Sequence, residues 1–184
     1  MKNLKNFIKL STLGDPPINQ LTSSYYVAEK LGLAEQILAY KSFEEAIEAL
    51  KQSHVDVALV AGAYPNIRNF IMDIDLTCTD SFIAQIPPLV FCSAHTVVPK
   101  KLKTLYLHPA TLSLQDDVRK IVNYTDSVQT QATSAAACLA KDDLESGAIC
   151  NQLAADYYNL KSHAILRSEL RMPFVLFERA KLSS

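Results

Sequence analysis

Few residues in this chain can do chemistry, and their positions are informative. His108 ends the run "LKTLYLHP", whose alternating apolar residues read as a strand that Pro109 must stop. An imidazole at a strand's carboxyl end can face a ligand or handle a proton near neutral pH. Arg68, after the turn "AYPNI", offers a guanidinium that suits a carboxylate. Thr22-Ser23-Ser24, Thr133-Ser134 and Asn151 each open a helix-like run. Helix N-termini carry unbonded N–H groups and partial positive charge, so these three places are candidate anion receivers as well as ordinary caps.

Composition narrows the partners. The 184 residues are 49% hydrophobic and 20% charged, with a formal net charge of −1. That balance fits a globular protein and gives no basic surplus for nucleic acid or an acidic membrane surface. No apolar run follows the N-terminal residues, so neither a leader nor a spanning helix is expected. The cysteines at 78, 92, 138 and 150 form no C-x-x-C pair and have no histidine at zinc-ligand spacing. Free thiols in a reducing cytoplasm follow, with Cys138 and Cys150 buried, and no metal or other cofactor is expected.

These residues must be held by the elements around them. "NFIKLSTLG" (6–14) reads as a strand, "DPPINQL" (15–21) as a loop and "TSSYYVAEKLGL" (22–33) as a helix. "QILAY" is a short strand. "SFEEAIEALKQS" (42–53) opens with a capping box, Ser42 and Glu45, and "VDVALVAGA" (55–63) is a buried strand. Strand, helix, strand, helix, strand is an α/β order with a mostly parallel sheet. "FIAQIPPLVFCS" (82–93), broken by Pro87-Pro88, suits a crossover rather than a central strand. A second series follows: strand 103–107, helix about 110–121, short strand near 127–130, and a helix from Thr133. It ends with strand 147–150, helix 151–160 and an apolar "HAIL". "PFVLF" (173–177) is a second extended segment. The expectation is two α/β lobes about a cleft: lobe 1 about 1–84 plus the C-terminal segment, lobe 2 about 94–164, crossovers at 82–93 and 165–178.

Taken in order, these stretches resemble the catalytic domain of the prephenate dehydratase family. "FEEAIEAL…VDVALVAGAYPNI" is similar to the family's helix, strand and turn, and "LYLHPATLSL" to its S-H-P-x-A-L. "ATSAAACLAKDD" resembles S-T-x-E-A-A, and "GAICNQLAADYYNL" resembles A-A-I-A-S-x-x-A-A-x-x-Y-G-L. The resemblance implies a single domain over 1–184 with the periplasmic-binding-protein type II fold, prephenate between the lobes, and no regulatory ACT domain. The departures are specific. Where the dehydratases read Thr-Arg-Phe, this chain has Met172-Pro173-Phe174. In the family that threonine assists departure of the ring hydroxyl and the arginine binds a carboxylate.

One branch departs similarly: the prephenate decarboxylases of bacilysin-type pathways. "TLG" (12–14) and "TSS" (22–24) resemble its T-L-G and T-S-S, with four extra residues between them here. "VAGAYPNIRNF" resembles V-x-x-A-Y-x-x-I-x-x-F, "TSAAA" (133–137) matches, "NQLA" (151–154) resembles N-x-L-A, and Met172 lies in the branch's Pro-Met region. Gly62 stands where this branch leads one to expect histidine, and Pro88 where it leads one to expect a polar residue. The resemblance therefore implies loss of CO2 from prephenate without aromatisation, giving a dihydro-4-hydroxyphenylpyruvate for peptide antibiotic biosynthesis. His108 and Arg68 are the expected catalytic residues. Thr22, Ser23, Ser24, Tyr64, Thr133, Ser134, Asn151 and Met172 are expected to bind substrate, in a cytoplasmic protein that could form a homodimer. Two alternatives stay open: a dehydratase yielding phenylpyruvate, and a non-catalytic binder or sensor of small carboxylates.

Overall fold

The computed structural model describes residues 7–14 and 19–181. Asn6 and residues 15–18, read above as a strand's first residue and part of a proline loop, lie outside them. The chain runs β1 (Phe7–Leu13), α1 (Ser23–Lys30), β2 (Ala34–Tyr40), α2 (Phe43–Lys51), β3 (Val57–Ala61), α3 (Ile67–Ile71) and β4 (Leu76–Gln85). It continues with β5 (Leu89–Ser93), β6 (Lys101–Leu107), α4 (Gln115–Arg119), β7 (Asn123–Gln129), α5 (Thr133–Ala140) and β8 (Ser146–Asn151). The last elements are α6 (Gln152–Tyr157), β9 (Lys161–Arg167) and β10 (Arg171–Arg179). The described residues fall into two compact units, one up to Ile86 and again from Arg171, the other Pro87–Leu170.

Each unit holds one five-stranded sheet, ordered β2-β1-β3-β10-β4 in the first and β7-β6-β8-β5-β9 in the second. Within each, two pairings are parallel (β2-β1-β3 and β7-β6-β8) and two are antiparallel, because one strand, β10 or β5, runs against the other four, so the sheets are mixed. In both, the first parallel strand pairs with the next strand on one side and with the third on the other. The chain reverses its direction of travel at the β1/β3 and β6/β8 junctions, and ligands of such sheets bind outside the carboxyl ends at that switch.

The apolar pattern explains the packing. In α2, Phe43, Ile47 and Leu50 recur at helical spacing and meet Ala58, Val60, Phe70 and Phe177 in one core. In the second unit, Phe91, Leu102, Leu105, Leu107, Val118 and Ile149 form the other. The inner strand β1 also buries Ser11 and Thr12, whose hydroxyls donate to Ala46 O and Leu59 O at 2.8 Å each. Those bonds satisfy two hydroxyls that would otherwise oppose burial.

Several expectations from sequence change here. The segment expected as a crossover contains β5, which is flanked by β8 and β9 inside its sheet. Pro87 and Pro88 precede β5 and so remove no hydrogen bond from its ladder. Likewise β10 lies between β3 and β4 rather than outside a sheet. The helix expected over about 110–121 splits into a 3-10 turn at Pro109–Leu114 and the short α4. β7 begins four residues earlier than its expected start near 127; it is an edge strand exposed at nearly every position, so no apolar alternation marks it.

Gly147 lies where strand and side chains crowd together. A Cβ there would stand 2.8 Å from Phe91 Cε2 and 2.9 Å from Leu102 Cδ1. Gly147→Ala is expected to cost about 1–3 kcal/mol by overpacking, read as a lower urea midpoint. An unchanged midpoint would show that the core yields without strain.

Candidate functional site

In the second unit, His108 follows β6, Thr133 and Ser134 open α5 after β7, and Asn151 ends β8. All three positions therefore lie at the carboxyl edge of the parallel strands. The sequence reading made Thr133 the cap of α5. The cap position is instead Ala132, which has no side-chain bond to give, and Thr133 is the first helical residue. The first helical bond runs from Ala136 N to Ala132 O, so the preceding N–H groups have no acceptor within the helix.

Two side chains sharpen this picture. Asn151 caps α6 by accepting from Ala154 N at 2.9 Å, and its amide nitrogen donates to Thr133 Oγ1 at 3.3 Å. Asn151 thus ties the end of β8 to the start of α5. Ser134 is fully buried, and its hydroxyl has no hydrogen-bond partner among the described residues. A buried hydroxyl left unpaired costs about 1–3 kcal/mol, and this one lies beside a helix start that no side chain caps.

His108 turns out to be both punctuation and a ligand-facing candidate. Its Nδ1 accepts from Ala110 N at 3.2 Å and caps the 3-10 turn, while its carbonyl accepts from Thr111 Oγ1 at 2.7 Å. With Nδ1 accepting, the neutral ring carries its proton on Nε2, which can donate to an anion but not take a proton from one. Burial also holds the imidazole below its usual range, favouring that neutral form.

In the first unit, Thr22 caps α1 and lies at the end of β1. Its hydroxyl accepts from Tyr25 N at 3.2 Å and donates to Leu13 O at 2.7 Å. Its single proton is therefore committed inside the protein. The backbone N–H groups of Ser23 and Ser24 precede the first helical bond, Tyr26 N to Thr22 O, and have no acceptor within the helix. Ser42 follows β2, which pairs in parallel with β1, so this second cap shares the carboxyl edge with Thr22.

Tyr64 packs its ring between Phe43 and Phe70, with centroids 4.9 and 5.9 Å away, and its hydroxyl donates to the Glu44 carboxylate. Burial and that carboxylate push the phenol's pKa up. Arg68 is exposed on α3 and makes no salt bridge among the described residues. Met172 is half-buried on β10, opposite Ala84 of β4. Among the described residues no cluster of three or more His, Cys, Asp or Glu could hold a metal ion. No helix among them is long and apolar enough to cross a membrane. The thiols of Cys92 and Cys150 are buried 3.3 Å apart, and this contact with burial pushes Cys150 well up. Cys138, expected to be buried, is only partly so, and Cys78 is exposed.

The family model described as prephenate dehydratase matches residues 19–167. The chain belongs to the prephenate dehydratase family. A prephenate decarboxylase of Bacillus amyloliquefaciens is 28% identical over 98% of this chain and 91% of its own length. A prephenate dehydratase from Arthrobacter aurescens, solved in complex with L-Phe, matches with a TM-score of 0.72 at 17% identity, over 95% of this chain and 61% of that one. The methionine-binding protein MetQ matches with a TM-score of 0.54 at 14% identity, over 95% of this chain and 83% of that one. The fold is thus the mixed α/β, two-sheet arrangement that this family shares with periplasmic binding proteins.

Within that family frame, the sequence pointed to Asn151 but not to its bond with Thr133, because no local pattern encodes a contact across 18 residues. Nor did it foresee the contact between Gly62 and Pro173, whose only signal was a proline in a strand-like run.

Two outcomes follow from this geometry. As pH falls through about 6.5, the unfolded chain protonates His108 before the folded chain does. Stability is therefore full above that pH and declines below it, toward the lowered folded pKa. His163, held down by burial and then by His95 and Lys161, adds to the same slope. His108→Asn keeps a capping acceptor without titrating, so unfolding free energies at pH 7.5 and 5 should differ less than in the parent. An equal difference would assign the slope elsewhere. Ser134→Ala should leave the melting temperature unchanged or higher, yet weaken prephenate binding about tenfold by calorimetry. A clear loss of stability with unaltered affinity would make the hydroxyl structural.

Proposed function

We propose that this protein is a cytoplasmic prephenate decarboxylase that removes CO2 without aromatising the ring. The observation that carries the reading is the uncapped start of α5, where Asn151 reaches Thr133 and the buried Ser134 hydroxyl has no partner among the described residues. Prephenate carries two carboxylates, and the N–H groups of Ser23 and Ser24 open the other eight-residue helix, which Thr22 caps. In this reading Thr133, Ser134 and Asn151 form a carboxylate receiver in the second unit, and in the first unit the N–H groups of Ser23 and Ser24, beside the Thr22 cap, offer a place for an anion. His108 donates from Nε2, Arg68 adds an exposed positive charge, Tyr64 braces its turn, and Met172 gives an apolar contact. The alignment with a Bacillus prephenate decarboxylase over nearly the whole chain supports the same choice.

The chemistry turns on what receives the electrons. Breaking the bond from the ring to its carboxylate releases CO2 and sends an electron pair into the diene. If a donor protonates the ring hydroxyl, water leaves and the ring becomes aromatic, giving phenylpyruvate. If none reaches it, a ring carbon takes one proton from solvent or protein, and the alcohol and two ring double bonds survive. Acid assistance is typically worth about 10²–10⁴-fold. Met172 and Pro173 offer no acidic proton, since a thioether and a proline have none to give. Loss of that assistance is enough to redirect the product. We further propose that the product serves bacilysin-type peptide biosynthesis.

Incubation with prephenate at pH 7.5, followed by proton NMR, tests this. The expected outcome is protein-dependent CO2 release with olefinic and no aromatic product signals. Aromatic signals above the protein-free background would make the chain a dehydratase. Unchanged prephenate, with binding measured separately, would make it a binder.

A further inference from the structure

Two cysteines inside the second sheet take no part in the chemistry above. Cys92 of β5 and Cys150 of β8 are fully buried free thiols, and their sulfurs stand 3.3 Å apart. The antiparallel register pairs Cys92 with Ala148 and Val90 with Cys150, so the thiols meet on a diagonal of that ladder. Their chain neighbours Phe91 and Ile149 enter the core that contains Val118 of α4. Alternation turns both thiols to the other face of the sheet. There the backbone N–H of Ala155, in α6, is directed at the Cys150 sulfur.

Thiols in contact are placed to form a cross-strand disulfide, and the register decides what that bond would do. The sulfurs would close to about 2.05 Å. Diagonal neighbours in an antiparallel pair stand about 7–8 Å apart, whereas a relaxed disulfide joins Cα atoms about 4.4–6.8 Å apart. Closing the bridge therefore draws β5 and β8 toward each other at this point. A bridge made under such strain is readily reduced again, as redox-sensing disulfides of reducing compartments are.

The strain falls on one corner of the fold. Asn151 follows Cys150 directly, pairs with Leu89, caps α6 through Ala154 N at 2.9 Å and reaches Thr133 Oγ1 at 3.3 Å. The next residue, Gln152, donates its N–H to Pro88 O at 2.9 Å. All of these contacts are made within two residues of Cys150, on the ladder that the bridge would shift.

We propose that Cys92 and Cys150 form a reversible, peroxide-driven disulfide that loosens the Asn151 corner joining β8 to α5 and α6. The oxidant is hydrogen peroxide, which is small and uncharged, as access to two buried sulfurs requires. One sulfur, as thiolate, attacks a peroxide oxygen; the O–O bond breaks, leaving a sulfenic acid and water. The second sulfur displaces the sulfenic hydroxyl, which leaves as water. Two thiols give up two protons and two electrons in all, and one peroxide becomes two waters. Contact with Cys92, and then burial, holds the Cys150 thiol well up. Thiolate is therefore scarce at neutral pH, and the reaction quickens as pH rises. The inference is independent of which ligand the site takes.

The test treats the native protein with hydrogen peroxide at pH 7 and at pH 8.5, blocks the remaining thiols after unfolding, and maps the peptides by mass spectrometry. A peptide joining Cys92 to Cys150 is expected, formed faster at the higher pH and lost on adding dithiothreitol. Hydrogen exchange reads the corner. The Ala154 amide should exchange about fivefold faster in the oxidised protein, as for a lost helix cap, and recover on reduction. Cys92→Ala and Cys150→Ala, each alone, should show no peroxide-induced change at Ala154, which separates the bridge from oxidation of methionine; one folded variant suffices. Oxidation of the exposed Cys78 with Cys92 and Cys150 left unjoined would overturn the proposal. So would bridges to Cys78 or Cys138 in equal yield, a Cys92–Cys150 bridge with unchanged exchange at Ala154, or the same change at Ala154 in the variants.

Discussion

Parallel strands cannot be joined by a tight turn, and that constraint organises everything else in this molecule. Each parallel pair needs a crossover, and each crossover helix begins at the carboxyl edge of its sheet. Both units obey it with the same spatial order, in which the first strand lies between the second and the third. The consequence is electrostatic as much as topological. Backbone N–H groups without helical acceptors gather along one edge of each sheet, and no lysine or arginine is needed to make that edge receptive to anions.

Similar sequence signals can hide opposite physical states. Thr22-Ser23-Ser24 and Thr133-Ser134 look alike as hydroxyl clusters before helices. In the first, the threonine hydroxyl is saturated by Leu13 and Tyr25. In the second, the cap position is an alanine, the threonine receives a bond from Asn151, and the serine hydroxyl has none. Only the hydrogen-bond accounting around each cluster tells the two apart, and that depends on residues far away in sequence.

The α/β order was legible because its signals are local. Helical spacing in "FEEAIEAL", the cap at Ser42 and the buried run "VALVA" need no tertiary information. Sheet membership was less so. β5 and β10 carry prolines at or near their ends, which argue for connectors when read alone. Their places inside sheets follow from partners that are distant in the chain: Phe91 pairs with Ile149 and Val175 with Val60. α3 was missed for a different reason, since five residues are too few to show a helical period. For His108 the turn-setting role was visible in outline, but the commitment of Nδ1 to Ala110 was not.

The paired anchors of β1 and α1 bear on how such a protein can diverge. Gly14 N donates to Tyr40 O, holding the end of β1 to its neighbour, and Thr22 ties the start of α1 back to Leu13. Both ends of the intervening segment are thus fastened without reference to its length. A change of length between these two anchors therefore leaves the end of β1 and the start of α1 fastened where they are. Divergence in length there leaves the Ser23 and Ser24 N–H groups at the start of the same helix.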